Sequence, residues 1–143
     1  MKLINSSLYL PESVVTNDYF EKKFNLKAGW VEQRTGITRR HQCSPAMLVS
    51  ELAAKSVELL IRPNQEAIDF LICVTSTPDS LLPCTANRIA GLLNLNGVVC
   101  FDLMSGCAAF LQALIVARGL LENNLFRRGI IVAAEKMELI IDP

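Results

Sequence analysis

Asp69-Phe70-Leu71-Ile72-Cys73-Val74-Thr75 is the stretch that decides the fold. Its apolar residues follow one another without polar alternation, the pattern of a strand covered on both faces. The pattern returns after Gly97 at Val98-Val99-Cys100-Phe101-Asp102-Leu103, and again at Gly129 to Ala134. Between the first two runs, Ala86, Ile89, Ala90 and Leu93 recur at helical spacing, and between the second and third the residues from Cys107 through Leu121 read as a helix. Strands alternating with helices through short connections define an α/β fold with a mainly parallel sheet.

Working outward, Lys2 to Leu10 reads as an opening strand stopped by Pro11. Thr16-Asn17-Asp18 supplies capping residues for a short amphipathic helix ending near Phe24, and a second short helix carries Trp30. Ser44-Pro45 opens a further helix, with Leu48, Leu52, Val57, Leu60 and Ile61 on its apolar side and a stop near Arg62-Pro63. Ser76 to Pro83 is a turn-rich loop. From Ala108 to Ala117 apolar residues occupy nearly every helical angle, the pattern of a helix enclosed on all sides. A two-layer domain leaves one side of such a helix wet, so a second half or a second subunit is expected to cover it. The sequence stops at Ile141-Asp142-Pro143, directly after a buried strand and a polar loop, and is read as a fragment or a short version of a longer fold.

Composition narrows the function classes. The 143 residues suffice for one domain, and 51% apolar content is high for that size. Fourteen basic residues balance fourteen acidic ones, which points to neither nucleic acid nor an anionic membrane surface. The longest uncharged stretch, Leu103 to Ala117, falls short of the roughly 20 residues that cross a bilayer. No secretory signal opens the chain, so the expected address is cytoplasmic. Five cysteines, at 43, 73, 84, 100 and 107, form neither a CxxC pair nor an even framework, so no metal site and no disulfide scaffold is expected. Cys73 and Cys100 lie in strand runs and read as small core residues.

Cys107 is different. It stands where a buried strand turns through Ser105-Gly106 into a helix, near the positive end of the helix dipole and its free backbone N–H groups. Such surroundings favour a thiolate and can hold a tetrahedral oxyanion. The competing reading is a small residue needed for close strand-to-helix packing.

Phe101-Asp102-Leu103-Met104-Ser105-Gly106-Cys107-Ala108-Ala109-Phe110-Leu111-Gln112-Ala113-Leu114 resembles the active-site segment of the β-ketoacyl-acyl-carrier-protein synthase III family. Further landmarks follow the family order: Tyr9-Leu10-Pro11-Glu12 with Val15-Thr16-Asn17, Trp30 to Ile37 with Arg39-Arg40, Thr77-Pro78-Asp79 with Pro83, and Ala134-Glu135 with Asp142. The resemblance covers nearly the whole chain. It implies one half, the N-terminal one, of a thiolase-like five-layer αβαβα fold, residues 1–143 forming a single half-domain with the C-terminal half absent.

The implied chemistry is acyl transfer from acyl-CoA, a substrate rather than a cofactor, to Cys107. Decarboxylative condensation with malonyl-acyl-carrier-protein follows. By the same resemblance Trp30 and Arg34 contact the CoA nucleotide, Leu82 shapes the acyl pocket of a neighbouring subunit, and the enzyme is a homodimer. A histidine and an asparagine from the absent half complete the family's site. Two departures are present: Ala109 replaces the glycine two residues beyond the nucleophile, and Ser105-Gly106 stands where small apolar residues are usual. The single histidine, His41, is read as a solvated loop residue rather than the partner of Cys107. Two other readings use the same residues. In one, an acyltransferase of specialised metabolism loads Cys107; in the other, the thiolase half-fold is a non-catalytic scaffold.

Overall fold

A computed structural model describes residues 1–61, 67–122 and 124–140. The helix stop at Arg62-Pro63 and the terminal Ile141-Asp142-Pro143 lie outside the described residues. The chain divides into two compact units, Leu10–Ala46 and the remainder.

The smaller unit holds β1 (Val14–Thr16), α1 (Asn17–Lys23), α2 (Trp30–Thr35) and β2 (Arg39–His41), with the two strands antiparallel and Val15 opposite Arg40. Thr16 is the N-cap residue of α1 and Phe24 its C-cap, as the capping pattern predicts, although Thr16 makes no side-chain capping bond. Helix α2 is held from α1. The buried Glu21 carboxylate accepts the N–H groups of Gly29 and Val31 at 3.0 and 3.1 Å. Buried Asn17 donates to the Ile37 carbonyl at 2.6 Å and accepts from Arg40, whose guanidinium also lies 4.8 Å over the Phe20 ring.

The larger unit runs α3 (Val49–Glu58), β3 (Phe70–Val74), α4 (Thr85–Leu92), β4 (Val99–Leu103), α5 (Ala109–Glu122) and β5 (Gly129–Ala133). The three strands form a parallel sheet in the order β4-β3-β5, with Phe70 opposite both Val99 and Gly129. Every residue of β3 is buried, as its uninterrupted apolar run requires.

One face of the sheet presents Leu71, Cys73, Ile130 and Val132 to α3 and α4, which contribute Val49, Ala53, Val57, Ala86 and Ile89. The other presents Phe70, Ile72 and Val74 to Ala109, Ala113 and Ala117 of α5. That alanine stripe, one residue per turn, lets α5 lie close to the strands. Gly129 is required where β5 passes the Phe70 ring, because a Cβ there would stand 2.1 Å from ring atoms.

Two expectations are corrected. Residues 2–10 form no strand; no described strand pairs with them, and Leu3, Ile4 and Leu8 are exposed. A strand exists only through its neighbour's hydrogen bonds. The helix expected from Ser44-Pro45 begins at Val49, because the groups that satisfy its first N–H donors sit there: Glu51 accepts the Leu48 N–H at 2.8 Å and Asp79 accepts that of Val49 at 2.6 Å. Helix α5, by contrast, is covered on one side only, as expected of a two-layer arrangement: Phe110, Leu111 and Ile115 are exposed.

Candidate active site

Strand β4 ends at Leu103, and after Met104 and Ser105 the chain makes one turn of 3₁₀ helix, Gly106–Ala108, before α5 begins. Cys107 therefore sits one turn ahead of the α-helix, not in its first turn, and its thiol is exposed. Gly106 takes φ +56°, a left-handed conformation that a side chain would strain, and this makes the sharp exit from the strand possible. The turn stands at the carboxyl edge of the sheet, where α/β folds place their ligands. Cys73 and Cys100 present the opposite case: burial in the sheet raises both thiols above the ordinary cysteine range, which keeps them protonated and inert.

The same edge is knitted together by motif carboxylates. Glu135, just past β5, accepts the Ser76 N–H at 2.8 Å and the Thr77 hydroxyl at 2.9 Å. The Thr77 oxygen in turn accepts the Lys136 N–H at 2.9 Å, and the buried Lys136 ammonium donates to the Met47 carbonyl at 2.9 Å. Asp79 receives the N–H groups of Val49 and Ser50 at the start of α3, and Asp102 receives those of Thr85 and Ala86 at 2.7 and 2.8 Å at the start of α4. Asp79 and Asp102 thus each serve as the N-terminal cap of a helix distant in sequence. Sequence reading took these residues as landmarks without a role. The signal was the lack of a polar capping residue at Leu48 and Cys84, which leaves the helix donors to be satisfied from elsewhere.

Leu82 lies in the loop between β3 and α4, 84% exposed beside the equally bare Leu81. Trp30 and Arg34 lie in the smaller unit, on one side of α2, with the guanidinium 5.7 Å over the indole ring. Trp30 is 42% exposed. Glycines with positive φ at 29 and 36 bracket this short helix. His41 proves to be the last residue of β2 rather than a loop residue; it is exposed, and its Nδ1 is hydrogen-bonded to the Pro11 carbonyl at 2.6 Å. Among the described residues no group of three His, Cys, Asp or Glu side chains could hold a metal ion.

A parallel sheet whose strand β4 delivers an exposed thiol through a glycine turn into an apolar helix defines the class: a thiolase-type fold. Residues 101–143 match the family described as 3-oxoacyl-[acyl-carrier-protein] synthase III. The chain is 37% identical over 99% of its length to β-ketoacyl-[acyl-carrier-protein] synthase III of Rickettsia felis, covering 45% of that protein. It is 36% identical over 94% of its length to the Deinococcus deserti protein of the same name, covering 39% of it. The crystal structure of the Thermus thermophilus synthase III superposes with a TM-score of 0.85 at 35% identity, over 96% of this chain and 45% of that one. The priming β-ketosynthase of the R1128 polyketide pathway superposes at 0.84 with 28% identity, over 96% and 42%.

In sequence and fold the chain is similar to part of the β-ketoacyl-[acyl-carrier-protein] synthase III proteins. It spans about half the length of the curated relatives it matches.

Proposed function

We propose that the chain supplies the nucleophile-bearing half of a β-ketoacyl-acyl-carrier-protein synthase III. The observation that carries this reading is the exposed Cys107 on the glycine turn between β4 and α5, inside the segment that matches the family. The Cys107 sulfur attacks the thioester carbonyl of an acyl-CoA, the tetrahedral oxyanion is held by backbone N–H groups at the turn, and CoA leaves with the proton that the thiol gives up. The acyl-enzyme then condenses with malonyl-acyl-carrier-protein as carbon dioxide departs, in fatty acid or related biosynthesis. That second step draws on the histidine and asparagine that the family carries in its other half.

In the same reading, the exposed face of Trp30 stacks on the CoA nucleotide and Arg34 makes polar contact with it. Leu82 borders the acyl pocket of the neighbouring subunit in a homodimer. The expected setting is the cytoplasm; no helix among the described residues is long and apolar enough to cross a membrane. A second reading is an acyltransferase of specialised metabolism that loads the same thiol and passes the acyl group to another acceptor. The two differ in product, a ketoacyl chain against an ester or amide.

Intact-protein mass spectrometry after incubation with acetyl-CoA and longer acyl-CoAs tests the first step. A mass gain equal to the acyl group, lost in Cys107→Ala, is expected. An unchanged mass with every acyl-CoA would overturn the assignment of Cys107 and favour the scaffold reading.

A further inference from the structure

The loop between β3 and α4 carries Leu81 and Leu82 at its tip, 87% and 84% exposed. Side chains this bare gain no rigidity from packing, so the tip keeps one shape only if its backbone is held. Its leading limb is held by Glu135 at Ser76 and Thr77, and through Asp79 by the start of α3. Its trailing limb is held by the Ser80 hydroxyl, whose Oγ lies 3.3 Å from the Leu82 carbonyl and 3.4 Å from that of Pro83.

Ser80 is itself fixed from α4, where Arg88 Nη2 donates to its oxygen at 3.0 Å. A guanidinium only donates, so Ser80 must accept from it and turn its single O–H toward the two carbonyls. Those bonds are long, and the neighbouring positive charge polarises the hydroxyl that makes them. The arginine Nε is buried without an acceptor among the described residues, a desolvation cost that the fold carries at this position.

We propose that Arg88, acting through Ser80, is a positioning residue that fixes the Leu82 tip and thereby the acyl chain length the site accepts. The inference rests on the reading of Leu82 as an acyl-pocket residue. It deepens that reading by naming two polar residues which touch no acyl group and yet set the pocket.

The test combines hydrogen exchange at the amides of Leu81, Leu82 and Cys84 with Cys107 acylation rates for acetyl-, butyryl-, hexanoyl- and octanoyl-CoA. It compares the unsubstituted chain with Ser80→Ala, Arg88→Met and Arg88→Lys. Loss of the clamp is expected to speed exchange at the tip by about fivefold or more, as for local opening, with β3 and α5 unchanged. The ratio of long-chain to short-chain acylation should shift in the same variants, while Arg88→Lys, which keeps one cationic donor, recovers part of both effects. Unchanged exchange in Ser80→Ala and Arg88→Met would overturn the clamp whatever the acylation rates do. Faster exchange with an unaltered chain-length ratio would overturn its role in specificity. No acylation of the unsubstituted chain, with faster exchange in the variants, would refute the acyl-transfer reading while supporting the hold of Arg88 and Ser80 on the tip.

Discussion

One face of the β4-β3-β5 sheet is covered by two helices, α3 and α4, and closes over Leu71, Cys73 and Ile89, each fully buried. The other is covered by α5 alone, which lays Ala109, Ala113 and Ala117 on the strands and leaves its far side in water. That far side changes along its length. Leu111 and Ile115 are 65% and 71% exposed near Cys107, whereas Arg118 and Glu122, further along the same stripe, pair at 2.6 Å as a solvated helix face does. The bare apolar part therefore lies at the end next to Cys107. Soluble chains rarely leave such residues clustered without a partner. We read the first face as finished within this chain and the second as finished by what packs on α5, a cover that would lie over the Cys107 end as well.

The sharpest way to break this comparison is a matched truncation on the two faces. Ile89→Ala, on the finished side, is expected to cost about 2–5 kcal/mol in chemical denaturation. Ile115→Ala, on the bare side, should stay within about 0.5 kcal/mol. Equal losses would mean that the isolated chain already buries both.

Next in size is Gly129→Ala, which drives a Cβ into the Phe70 ring beneath α5 and should cost about 1–3 kcal/mol in the same measurement. A silent substitution would show that the α5 side is loosely packed even where it is covered.

The smallest effect concerns the strand ends. The Asp69 carboxylate accepts the N–H groups of Arg127 and Arg128 at 2.6 and 2.9 Å, and these bonds hold it below the ordinary carboxylate range. A lowered folded value means that folding favours the charged form. Its contribution is therefore present above the unfolded value of about 3.9 and is lost as pH falls through the folded value. The stability difference between the native chain and Asp69→Asn should accordingly shrink in urea titrations carried from neutral pH into that range. A difference independent of pH would dismiss the carboxylate's role.

Much of this arrangement was legible in the sequence, because burial writes itself into uninterrupted runs. β3, β4 and β5 fall where their apolar stretches stand, and α1 ends at its predicted cap. What was not legible depends on groups far apart in the chain. Val49, not Ser44, starts α3 because Asp79 supplies its cap, and Lys2 to Leu10 carries strand-like residues without a neighbour to pair with. At the candidate site, Cys107 was singled out by its place between strand and helix and then by resemblance. Ser80 and Arg88 carry no local signal, since their meeting depends on the path of the loop that leads into α4. The all-round apolar pattern of Ala108 to Ala117 was read as a helix that this chain alone leaves wet on one side, and its far side is exposed in the described chain.

The most direct test of the two-face account is sedimentation of the purified 143-residue chain together with binding of an apolar dye, with and without the paired change Leu111→Glu and Ile115→Glu. The account predicts that the native chain self-associates or binds dye, and that the double variant does neither while keeping its circular dichroism and unfolding midpoint. A native chain that runs as a compact monomer and binds no dye would contradict it.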